Sequence, residues 1–265
     1  MHVLIAIGFI LLGAVIGSFL NVCIYRLPRE RSIVSPPSAC PECGKPIRFY
    51  DNIPVLSYLL LKGKCRDCGA PISARYPMVE AVTAAFFFLL YMKLGLTLET
   101  VVFLLFVSAL IAISFIDLEL RIIPDVLSIG GVIVGFLFSL ARPFFRDMDP
   151  KFGILDSLYG ILLGGGILFG IAWTYQLLTK REGMGGGDIK LLAMIGAFCG
   201  MKGVVFSLMA GSILGTAVGV PLMLVKGKDG KYAIPFGPFL SLGALVYVYA
   251  GDRIIDPFLR FLEST

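Results

Sequence analysis

The chain has 265 residues, of which 57% are hydrophobic and only 15% charged, and its mean hydropathy is +0.90. Soluble domains carry about a quarter charged residues, so the composition excludes an ordinary water-soluble globule and predicts an all-α polytopic membrane protein. The formal net charge of +5 says less than the placement of the charges, and no nucleic-acid partner is expected.

Hydropathy predicts about eight spans, over residues 3–25, 77–92, 100–116, 122–141, 154–178, 189–201, 204–225 and 234–250. The second and sixth are short against the roughly 20 residues that a bilayer requires. The first run, "VLIAIGFILLGAVIGSFLNVCIY", lacks a basic region before it and an A-x-A site after it. It reads as a retained membrane helix and not as a removed signal peptide. Three parts follow: a first helix at 1–25, a module at 26–75, and a helical bundle at 76–265. The module alone holds nine basic residues, Arg26, Arg29, Arg31, Lys45, Arg48, Lys62, Lys64, Arg66 and Arg75. If it is cytoplasmic, the inside segments collect 16 of the 23 lysines and arginines and the outside ones 7. The excess of positive charge on inner loops favours that arrangement and sets the N-terminus and the tail "GDRIIDPFLRFLEST" outside.

The module is rich in proline and contains "CPECG" and "CRDCG". Each C-x-x-C turn offers two thiolates, and Gly44 or Gly69 eases the backbone curl behind it. Cys40, Cys43, Cys65 and Cys68 thus predict a closed tetrahedral zinc site with a structural role. The alternative is two disulfides or redox pairs, which a reducing cytosol disfavours. A module of this size without a core of its own also requires a staple such as a metal. Cys23 and Cys199 fall within spans and are expected to pack as small apolar residues.

The third span ends "LIAISFIDLELRIIPD", where Asp117 is the first charge after a long apolar run. The fifth span is followed by "TKREGMGGGD", which ends on Asp188. Counting spans from an outside N-terminus brings both aspartates to the cytoplasmic face. Ionisable groups at membrane depth are costly and usually functional. Two carboxylates brought close share a proton, so that one serves as a base toward water while the other protonates a carbonyl. The glycines before Asp188 would give a peptide backbone room to approach. The competing reading makes the two acids helix-end markers, with Asp188 as an N-cap. Asp125 is expected to cap a helix, and Glu80 either pairs with Arg75 or serves a site. Glu119, Arg121 and Lys190 are expected to face headgroups or substrate. The only histidine is His2, at the opposite membrane face, which argues against Ser-His or H-E-x-x-H hydrolysis and leaves aspartate chemistry.

The stretches "GSFLNVCIYRLP", "CPECG…CRDCGAPISARYPMVE", "FIDLELRIIPD" and "GMGGGDIKLLAMIGA" closely resemble the bacterial type IV prepilin peptidases. The resemblance implies a bifunctional enzyme of the bacterial inner membrane with its active site facing the cytoplasm. It implies a G-x-G-D aspartic peptidase whose pair is Asp188 and Asp117. It further implies cleavage of short basic leaders from prepilins or pseudopilins after a glycine, then methylation of the new N-terminus by S-adenosylmethionine. The four cysteines match the family's zinc-binding cytoplasmic domain, associated with methyl transfer. No glycine-rich nucleotide fingerprint is visible, so residues for S-adenosylmethionine are not assigned. Two rivals stand beside this reading. A presenilin-like protease would share the G-x-G-D logic, but "IPFGPF" stands where its P-A-L motif is sought. A transporter or assembly scaffold would use the acids to bind cations.

Overall fold

The computed structural model describes residues 2–141, 153–180, 185–226 and 235–263. Eight α-helices carry most of them: α1 (His2–Arg26), α2 (Leu56–Leu60), α3 (Arg75–Leu94), α4 (Leu98–Leu120), α5 (Asp125–Ala141), α6 (Ile154–Thr179), α7 (Gly186–Lys226) and α8 (Gly237–Glu263). Among the described residues there is no β-strand beyond two isolated bridges, Ala39 with Pro46 and Lys64 with Pro71. Five helices, α1, α3, α4, α6 and α7, are long and apolar enough to cross a membrane, and two shorter apolar stretches lie in α5 and α8. The chain divides into two units within α4, at Ala112 and Ile113.

In the first unit α1 and α3 pair antiparallel at backbone contact. A Cβ added at Gly13 would come 2.6 Å from Ala84 Cα, and one at Gly17 2.6 Å from Glu80 Cα. One turn further, the Asn21 amide donates to the Tyr76 carbonyl at 3.1 Å. Glycine at four-residue spacing is what lets two membrane helices close to this distance. Leu20, Ile24, Val79, Phe87 and Leu90 fill the seam, while Val3, Leu4, Leu11 and Val15 face outward, as lipid contact demands. Cys23 is buried, as expected from its place in an apolar run.

In the second unit α7 is the central helix, and it packs against α5, α6 and α8. Gly160 faces the Gly196 backbone and Gly164 faces Leu192, so α6 and α7 touch main chain to main chain. Gly131 and Gly135 of α5 admit Met194 and Phe198 in the same way. The expected sixth and seventh spans are joined in α7, which breaks at Gly200 with φ 64° and ψ −170°. The break is a left-handed step that glycine adopts without steric penalty. Asp156 accepts from the freed Met201 N–H at 3.4 Å, and the Ser157 hydroxyl donates to the Ala197 carbonyl at 2.9 Å. Cys199 is buried beside this break. The last helix also exceeds its expected end at 250 and runs to Glu263. Ile254, Ile255, Phe258, Leu259 and Leu262 recur at helical spacing, a pattern that a search for continuous apolar runs passes over.

Candidate aspartate site and cysteine metal centre

Asp117 lies in the last turn of α4 and is only 5% exposed. The chain turns at Arg121 (φ 57°), whose N–H donates to the Asp117 carbonyl at 2.9 Å, and α5 starts at Asp125. The Gly237 N–H, at the head of α8, donates to Asp117 Oδ2 at 3.0 Å. A buried carboxylate that accepts a backbone amide is held in one rotamer.

Asp188 stands in the first turn of α7, third in the helix after Gly186 and Gly187. It is therefore not the N-cap that the competing reading supposed. An acid in the first turn complements the helix dipole, which accounts for its tolerance but not for its company. Gly187, the residue before Asp188, and Gly237, whose N–H donates to Asp117, both abut Ile123, which brings the two acids, 71 positions apart, to the same end of this unit. Ile123 is the shared wall. A Cβ on Gly187 would come 2.9 Å from Ile123 Cβ, and one on Gly237 would come 3.3 Å from Ile123 Cδ1. The starts of α7 and α8 thus both pack against the Ile123 side chain, next to the end of α4 that carries Asp117.

The surrounding charges are placed as follows. Asp125 does begin α5, and its carboxylate accepts Lys190 Nζ at 2.6 Å. This pair ties the starts of α5 and α7 together, although both side chains are largely exposed. Glu119 and Arg121 are exposed at the helix end. Glu80 is buried in the first unit and accepts the Val55 N–H at 2.7 Å. Residues 181–184 of the loop before Asp188 lie outside the described residues. Gly237 and Ile123 were not legible beforehand. A backbone donor leaves no side-chain signature, and the one available signal was a glycine set between Pro235 and Pro238.

The four module cysteines come together as anticipated. Their sulfurs all lie within 4.8 Å of one another, and none of the six cysteines is disulfide-bonded. The two knuckles repeat one hydrogen-bond pattern. Cys40 N–H donates to Lys45 O at 2.9 Å and Gly44 N–H to Cys40 O at 2.9 Å; Cys65 N–H donates to Ala70 O at 2.8 Å and Gly69 N–H to Cys65 O at 2.9 Å. Gly44 (φ 69°) and Gly69 (φ 73°) make the left-handed step that closes each turn. Cys40 Sγ stands 3.9 Å from Cys68 Sγ, against about 3.8 Å for the edge of a tetrahedron with metal–sulfur bonds of about 2.3 Å. Amides of Cys43 and Glu42 draw the Cys40 thiol down to about 7. At Cys68 the Ala70 amide lowers the value, but desolvation and the three neighbouring thiols outweigh it and push it up to about 12. Four crowded sulfurs that cannot all ionise unaided are a donor set suited to a divalent cation, and the geometry is compatible with zinc. Arg66 forks onto Asp51 at 2.6 and 2.9 Å and holds that carboxyl below the usual carboxylate range. Lys45 of the first knuckle reaches Asp67 of the second at 3.2 Å.

Fold and composition define a multi-pass helical membrane protein that carries a four-cysteine module between its first two long helices. Residues 11–94 match the Bacterial Peptidase A24 N-terminal domain and residues 104–220 match the Type IV leader peptidase family. Among curated relatives, the Prepilin leader peptidase/N-methyltransferase of Pseudomonas aeruginosa is 36% identical, over 95% of this chain and 92% of that protein. The protein of the same name from Aeromonas hydrophila is 37% identical over 92% and 90%. That of Myxococcus xanthus is 39% identical over 86% of this chain and 66% of its own length. The chain belongs to the type IV leader peptidase family. No solved structure matches it.

Proposed function

We propose that this protein removes the short basic leader from type IV prepilins or pseudopilins and then methylates the new N-terminus, with Asp117 and Asp188 as the catalytic pair. The observation that carries this reading is the packing of the segments that bear the two acids around Ile123 and Gly237, in a chain of the leader peptidase family. Two adjacent carboxylates share one proton. The ionised acid takes a proton from water, whose oxygen attacks the carbonyl carbon of the scissile bond. The protonated acid first hydrogen-bonds the carbonyl oxygen. As the tetrahedral intermediate collapses, the C–N bond breaks and the departing nitrogen takes up a proton. Gly237 keeps Asp117 Oδ2 occupied by its N–H, which turns the remaining oxygen to the reacting groups. The module faces the cytoplasm under the charge rule, and so does the acid pair, in the inner membrane of a bacterium.

Cys40, Cys43, Cys65 and Cys68 would hold one zinc, and the closed ligand set makes its role structural. S-adenosylmethionine is the methyl donor implied by the second activity, which adds one methyl to the freed amine. The test is to incubate the purified protein with a prepilin peptide and S-adenosylmethionine and to weigh the products. Loss of the leader and a gain of one methyl are expected. An intact peptide would overturn the reading, as would proton- or ion-coupled flux without cleavage.

A further inference from the structure

The four-cysteine module carries an apolar face that its own fold leaves outside. In α2 the sequence is LSYLL, with Leu56 49% exposed, Leu59 65% and Leu60 72%. Ser57, on the opposite side, is buried and donates its hydroxyl to the Tyr50 carbonyl at 3.0 Å. One face of this turn is therefore anchored inward and the other presents three leucines. In water that would be a costly arrangement.

The height of α2 along the helix pair is fixed by a specific contact. Val55, the residue before α2, donates its N–H to Glu80 at 2.7 Å. Its φ of 61° is one that a β-branched side chain avoids, so the contact holds the chain in a shape it would not otherwise take. Glu80 lies in the second turn of α3 and opposes Gly17 of α1. The 20 residues of α3, Arg75–Leu94, are just enough to cross the hydrocarbon core, which sets Arg75 at its boundary. Glu80 is then about 7.5 Å inside Arg75 at 1.5 Å per residue. The chain leaves α1, folds through the first knuckle, and returns to that depth before the second. Directly after α2 come Lys62 and Lys64, both exposed, in a module with nine basic residues and four acidic ones, Glu30, Glu42, Asp51 and Asp67.

We infer that α2 is an interfacial anchor: Leu56, Leu59 and Leu60 lie in the lipid leaflet at the module's end of α1 and α3, and Lys62 and Lys64 meet anionic headgroups. The depth agrees with the roughly 5–10 Å by which interfacial helices sink their apolar faces. Basic side chains beside such a face add attraction to acidic lipid. The occupant is lipid because α2 sits at bilayer height on the outside of a membrane helix pair, where any uncovered surface meets lipid first. The module is thereby pinned to the bilayer and is not a free cytoplasmic appendage.

A single reporter tests this. The only tryptophan, Trp173, is replaced by Phe and Leu59→Trp is introduced into the full chain, reconstituted in nanodiscs of phosphatidylcholine and phosphatidylglycerol. Bromines on the acyl chains are expected to cut its emission about twofold or more, as for an interfacial residue, while aqueous iodide has little effect. Quenching by iodide and not by bromine would put the face in water and overturn the inference. Protection from both quenchers would mean that protein covers it, for example the apolar stretch of a substrate, and would overturn it equally. Leu60→Trp, one residue on, is the second reporter should the first variant fail to fold.

Discussion

Gly237→Ala sets one methyl group against the aspartate pair. The added Cβ lands 2.8 Å from Asp117 Oδ2 and 3.3 Å from Ile123 Cδ1. An ordinary contact begins near 3.4 Å, so the oxygen has to retreat by about 0.6 Å. The hydrogen bond from the Gly237 N–H, now 3.0 Å, then opens to about 3.6 Å, beyond hydrogen-bonding distance. A hydrogen bond to a charged group contributes about 1.5–3 kcal/mol, and about 1.36 kcal/mol is tenfold in rate, so kcat/KM for leader removal is expected to fall about 10- to 150-fold. The assay is initial-rate cleavage of a prepilin peptide by purified enzyme, with metal content and thermal unfolding midpoint measured beside it. Gly130→Ala on α5 is the control, because a Cβ there meets nothing within 4 Å and should leave the rate unchanged. A Gly237→Ala enzyme cleaving within about twofold of wild type would refute the role given to this amide.

Asp117→Asn and Asp188→Asn should each abolish leader removal while leaving metal content and unfolding midpoint as in wild type; wild-type cleavage by either variant would remove it from the catalytic pair. Elemental analysis should find one zinc per chain for the four sulfurs gathered within 4.8 Å, and chelation should expose four thiols to alkylation. Four thiols already reactive in native, untreated protein would contradict a metal there. Gly17→Ala drives a Cβ to 2.6 Å from the Glu80 backbone, an overpacking expected to cost about 1–3 kcal/mol, read as a lower unfolding midpoint in detergent. An unchanged midpoint would mean that the α1–α3 contact relaxes without loss.

Apolar runs made α1 and α3 to α7 readable to within a few residues, because lipid demands long uninterrupted stretches, but not the short α2 or the far end of α8. Cysteine spacing made the four-sulfur cluster readable, since two C-x-x-C turns impose one local geometry wherever they occur. Asp117 and Asp188 were paired by counting membrane crossings, which is topology and involves no contact at all. What escaped was carried by the backbone or by tertiary approach. The Gly200 break lies inside a stretch as apolar as its flanks, so hydropathy placed the division a little later, between 201 and 204. The Gly237 amide and the Ile123 wall depend on α8 reaching the end of α4, and no periodicity encodes that. Glu80 was expected to pair with Arg75 or to serve a site, and it accepts a main-chain N–H at Val55, a contact invisible in any list of side chains.

The register of α6 against α7 has a further meaning. Gly160 faces Gly196 and Gly164 faces Leu192, so four residues along one helix match four back along the other, and Asp188 falls level with Leu168. From Leu168 the α6 helix continues to Thr179, another three turns or about 16 Å, with Trp173, Leu177 and Leu178 standing exposed. The end of α6 thus stands about 16 Å beyond the level of Asp188, an apolar wall on one side of the approach to it. Under the proposed function, water has to reach the acids past that wall. The incoming polypeptide has to present an unwound stretch, because a carbonyl inside an intact helix is already committed to its own N–H four residues on. On that proposal, the access of water past α6, and the ease with which a substrate's first membrane turn opens, become as much a part of selecting the bond to be cut as the acids themselves.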